Sequence, residues 1–116
     1  LRISYSFNQE VVQEVANGWL ENTHPDIVFW SITLTNIGSK PIKITHISFS
    51  RKNSKKLYQL TKDIFGIIDK YQIAAGDNNS HLISYKLLKP EIVDRIIIQD
   101  GKGNLHYQKV NFPKER

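Results

Sequence analysis

The chain of 116 residues has no cysteine and no methionine. The first absence excludes a disulfide framework, a thiolate zinc site and a thiol nucleophile. It leaves the compartment open. A chain that opens on Leu1 and lacks Met is expected to be a fragment or a processed form, with any signal peptide or membrane anchor upstream. No apolar run approaches the roughly 18 residues that span a bilayer. A membrane contact is therefore expected only through a segment outside this chain, which allows an extracytoplasmic or membrane-anchored location.

Catalytic motifs are missing as well. His24, His46, His81 and His106 lie in separate segments, and no two have the spacing of a local metal-ligand pair. They are expected on the surface or on strand faces. Asp69, Asp77, Asp94 and Asp100 stand near turns, where a carboxylate bonds nearby backbone amides. No two of these converge as a general acid and base must. There is no G-x-S-x-G elbow. Gly101-Lys102-Gly103 lacks the third glycine and following helix of a dinucleotide fingerprint. The expectation is a protein that is not an enzyme and uses no cofactor and no metal.

What the chain does contain is β patterning. Ile3, Tyr5 and Phe7 alternate with polar residues. From Ile27 to Asn36, Val28, Trp30, Ile32 and Leu34 point one way and Ser31, Thr33 and Thr35 the other. After the Asn36–Lys40 turn, Ile42 and Ile44 are out of phase with Ile47 and Phe49, which predicts a bulge or sharp twist at Thr45-His46. Thr61 to Ile73 is irregular, an expected crossover or set of short strands. His81, Ile83, Tyr85 and Leu87 alternate, and Lys89-Pro90-Glu91 opens a single helical turn. The run Val93–Gln99 is continuously apolar at its centre, so its faces are both covered or the strand is central. Asp100–Asn104 is a hairpin loop leading to Leu105 and Tyr107. The expected core joins Val28, Trp30, Ile32, Leu34, Ile96, Ile98, Leu105 and Tyr107.

Seven or eight short strands spaced by turns, with at most short helical turns, predict an all-β antiparallel sandwich formed by residues 1–116 as one domain. On Ile32–Phe49, Ile96–Val110, the Asn36-x-Gly38 turn followed by Pro41-Ile42, and Asp100-Gly101-Lys102-Gly103, the chain resembles the Ig-like β-sandwich domains of small uncharacterised bacterial and prophage proteins. The resemblance implies a domain following a membrane segment and transfers no catalytic residues.

The net charge of +5 suits anionic partners and also serves plain solubility. Its local concentration is Arg51, Lys52, Lys55 and Lys56, with Tyr58 beside them. Those cations can meet phosphates, or they can be a solvated tip whose like charges keep a sheet edge from pairing. Trp19, between a turn and a Pro-containing loop, either covers one end of the sandwich or anchors a partner. The expected function is a non-enzymatic Ig-like interaction or structural module with an unidentified protein partner, part of a longer bacterial protein. The alternative is an electrostatic binder of nucleic acid or another polyanion through residues 51–56.

Overall fold

Two sheets pack face to face in the computed structural model, which describes residues 1–10 and 28–112. One has the order β1-β2-β8, formed by Arg2–Glu10, Val28–Thr35 and Asn78–Ser84. The other has five strands. Its path is β10-β9-β3-β4, from Leu105–Lys109, Val93–Asp100, Ile42–Arg51 and Leu57–Gln59, and β7 (Tyr71–Ile73) also pairs with β3. A small hairpin, β5 (Lys62–Asp63) with β6 (Gly66–Ile67), completes an all-antiparallel set. The strands beyond the expected seven or eight are pieces of two or three residues, mostly from the 61–73 crossover. Pro90–Ile92 forms the expected helical turn, as a 3-10 helix. Among the described residues no helix is long and apolar enough to cross a membrane.

Trp30, Ile32 and Leu34 from β2, Ile83 from β8, and Ile44, Ile47, Phe49, Ile96 and Ile98 from the opposite sheet are buried in one core. The Trp30 and Phe49 rings meet across the sheets, 5.5 Å apart and tilted. The Trp30 indole N–H donates to the Leu88 carbonyl at 2.9 Å, so the ring is buried with its polar atom satisfied. Ile44 pairs with Asp100, but His46 pairs with Gln99, which makes Thr45 the extra residue of a bulge. The Thr45 hydroxyl donates to the Gln99 carbonyl at 3.1 Å. This step lets Ile44 and Ile47 face the same core, as their phase required.

Two expectations fail. Leu105 and Tyr107 are not in the core: they are 49% and 54% exposed. They lie opposite Gln99 and Ile97, while His106 and Gln108 lie opposite the buried Ile98 and Ile96. The hairpin sets this register, and a slip of one residue would exchange the two faces. Its main constraint is Asp100, which accepts the amides of Lys102 and Asn104 on one oxygen and His106 Nε2 on the other at 3.0 Å. Gly103, at φ 85°, takes the left-handed turn position. The alternation through Leu87 also fails. β8 ends at Ser84, a turn follows, and Leu87 is exposed while Leu88 turns in against the core. Val28 is half-buried at its strand's start. β9 is central in its sheet, but its burial alternates, with Ile97 only half-buried on the outer side.

Asp100 carries a pH prediction. Its carboxyl is held below the ordinary aspartate value of 3.8, first by the His106 hydrogen bond and then by the two backbone amides, against an opposing effect of burial. A carboxyl lowered in the folded state stabilises the fold above its unfolded value, and that contribution disappears as pH falls through the folded value. Urea denaturation at pH 7 and at pH 3 should therefore show a loss of stability in acid. In Asp100→Asn that loss should be smaller, because the variant has already forfeited the carboxylate bonds at pH 7. An unchanged acid dependence in the variant would remove Asp100 from this account.

Candidate functional site

The clearest buried polar cluster is Asp63, His81 and Tyr71, from β5, β8 and β7. The Tyr71 hydroxyl stands 2.7 Å from His81 Nε2, and His81 Nδ1 stands 2.9 Å from Asp63 Oδ2. Burial, then the charge of Asp63, pushes the Tyr71 hydroxyl up to about 12, so it stays protonated and donates. His81 then accepts at Nε2 and donates from Nδ1 to Asp63. The chain of donors is closed and faces no cleft. The cavity beside Tyr71 measures about 40 Å³, room for little more than one water. His81, expected on a strand face, is on one but 95% buried, and Asp63 gave no sequence signal. The cluster ties three separate strands together. His81→Ala strands two buried partners and should cost about 1–3 kcal/mol in thermal denaturation; a neutral result would show that water replaces the imidazole.

The sequence-predicted surface lies at the β3–β4 hairpin. Arg51, Lys52, Lys55 and Lys56 are all exposed. The Arg51 guanidinium donates to the Tyr58 hydroxyl at 3.1 Å, so these two meet as expected. Tyr58 lies opposite Phe49 and lines a small recess with Phe49, Leu60, Leu87 and Leu88. It therefore leans to the inner side of its sheet while staying 38% exposed. Trp19 lies outside the described residues, as does His24.

A different surface gathers more chemistry, and it is the outer face of the five-stranded sheet. Antiparallel register lays its side chains in rows. Leu105, Gln99 and His46 form one row; Tyr107, Ile97, Ser48 and Gln59 the next; Lys109, Arg95, Ser50 and Leu57 the third. Rows are separated by ~7 Å along the strands and neighbours within a row by ~4.8 Å. Tyr107 and Leu105 stand out from the surface, Ile97 fills the space between, and the Gln, Ser and His groups supply donors and acceptors around them. A face of this kind suits an extended ligand lying across it. At its far end a groove of about 590 Å³ is lined by the 36–43 turn and the 100–104 hairpin, including Lys40, Lys43 and Lys102. Its lining has no aromatic ring. Phe65, 64% exposed at the β5–β6 hairpin, is aromatic but stands away from these rows.

Among the described residues, no three His, Asp or Glu are placed to hold a metal ion. The fold is that of an antiparallel β-sandwich. Residues 9–81, more than half of the chain, match the carbohydrate binding domain CBM49, and the chain belongs to that family. The matched segment includes β3, β4 and the basic hairpin, while β9 and β10 follow it. No curated protein matches the chain. The antiparallel sandwich expected from the sequence is thus present. The Ig-like attribution, which rested on turn chemistry common to many antiparallel sheets, is not confirmed by the family match.

Proposed function

We propose that this chain is a non-catalytic module that holds a polysaccharide against the outer face of the five-stranded sheet. The observation that carries the reading is Tyr107, half-exposed on an open sheet face with Gln99, Ser48 and Gln59 around it. A sugar ring has apolar C–H faces and a rim of hydroxyls. An aromatic ring can cover the first, and amide or hydroxyl groups can bond the second. Membership of a carbohydrate-binding family supports the same ligand class. A carbohydrate takes the place of the protein partner expected from the sequence. The polyanion alternative survives in altered form, as a charged polysaccharide. Delivery of a longer protein to its polysaccharide is the role such a module fills.

Affinity electrophoresis through gels containing neutral and acidic polysaccharides tests the proposal. The wild-type chain should be retarded by at least one polymer, and Tyr107→Ala should be retarded far less. Retardation by none of them sinks the reading.

A further inference from the structure

We propose that the polysaccharide bound on this face is acidic, a polyuronate, and that Arg95 and Lys109 hold its carboxylates while Tyr107 covers a sugar ring. This rests on the glycan reading of the same face and adds the charge of the ligand to it.

The argument begins with a broken rule of sheet design. Lys109 and Arg95 are directly opposite one another across β10 and β9. Like charges in such a pair repel, and sheets avoid the arrangement. Among the described residues nothing nearby fully offsets it. Asp94 is the closest carboxylate to Arg95, at 3.8 Å, and both side chains are substantially exposed. A contact that long and that wet contributes little. The row that holds the pair continues through Ser50 to Leu57, next to the hairpin that carries Lys52, Lys55 and Lys56. Among the described residues, Glu91, in the turn whose Ile92 carbonyl accepts the Lys52 amide, is the other acid at this end. Cations still outnumber acids there, and a pairing that is unfavourable alone becomes favourable when an anion bridges it.

The chemistry of the anion follows from the neighbouring row. Tyr107 is two residues from Lys109 on the same strand, ~7 Å along the face. In a uronate the carboxylate is bonded to a ring carbon, so a ring stacked on Tyr107 brings its own charge, or that of its neighbour, within reach of the cationic row. The Arg95 guanidinium offers a planar fork that matches a carboxylate, and the Lys109 ammonium adds a point charge. A nucleic acid would also satisfy the cations. It is disfavoured because the rows carry one phenol ring and one imidazole, without the series of stacking rings that successive bases use.

The experiment compares polygalacturonate with the same polymer fully methyl-esterified, which keeps the backbone and removes the charge. Wild-type chain should bind the acidic form about tenfold or more tightly in low salt, and added salt should erase the difference. The Arg95→Gln/Lys109→Gln double variant should lose that preference. A variant neutralised at Arg51, Lys52, Lys55 and Lys56 should keep most of it. Circular dichroism confirms that each variant is folded. Equal affinity for the two polymers overturns the charge inference and leaves the glycan reading standing. Absence of binding to any polysaccharide overturns both. Tighter binding to single-stranded DNA than to polygalacturonate, insensitive to Tyr107→Ala, assigns the cations to nucleic acid and overturns the proposal. So does a preference lost in the hairpin variant and kept in the double variant.

Discussion

Trp30→Ala should destabilise the domain by about 3–5 kcal/mol. The indole is fully enclosed, and it touches Phe49 of the opposite sheet and Phe7 of β1. Alanine removes the largest buried side chain and leaves a void that stiff neighbours such as Ile32 and Ile96 cannot fill. It also leaves the Leu88 carbonyl without its indole donor. A domain of this size has a total stability of about 5–15 kcal/mol, so the variant should lie near its unfolding threshold. Urea denaturation followed by circular dichroism should show a lower midpoint at constant slope. Trp30→Phe, which keeps an aromatic ring and loses only part of the volume and the hydrogen bond, should fall between the two. A loss below about 1 kcal/mol in the alanine variant would mean that the two sheets do not depend on this ring for their contact.

Tyr107→Ala should weaken polysaccharide binding by about 10- to 100-fold, the effect of removing an aromatic anchor worth roughly 1.4–2.8 kcal/mol. Stability should stay within about 0.5 kcal/mol of wild type, because the side chain is on an exposed face and makes no core contact. Tyr107→Phe keeps the ring face and should keep most of the affinity. That split separates a ligand platform from a structural residue. Isothermal titration with a soluble oligosaccharide of the retarding polymer measures wild type and both variants. An alanine variant that binds as wild type does would move the ligand off this face.

The misplacement of Tyr107 in the sequence reading has a definite physical cause. Leu105-His106-Tyr107-Gln108-Lys109 alternates cleanly, and alternation says that two faces differ without saying which one is buried. The usual assumption sends the apolar members inward. Parity settles it the other way. Asp100 pairs with Asn104 around the three residues Gly101–Gly103, so even-numbered residues of β9 share a face with even-numbered residues of β10. Ile96 and Ile98 face the core, and therefore Gln108 and His106 do too. The loop length was in the sequence; the Asp100 bonds that fix the turn were not. The bulge at Thr45 was legible because four apolar residues demanded it. The Asp63–His81–Tyr71 cluster was not, since its members lie up to 18 positions apart and meet only through the crossover. The basic hairpin was visible as composition. Composition could not show that its tyrosine leans inward, or that Arg95 and Lys109 would stand side by side.

The parity of the strands has a consequence for how such a domain can change over generations. Along the central strands β3 and β9 inward and outward residues alternate, so the core and the outer face are written in alternate positions of the same segment. A substitution at the exposed Tyr107 or Arg95 changes the outer face and should leave stability within about 0.5 kcal/mol of wild type. Ile96, Ile98, Ile47 and Phe49 have no such freedom. On the glycan reading proposed above, one scaffold can be retuned from a neutral to a charged polymer by exchanging side chains on that face.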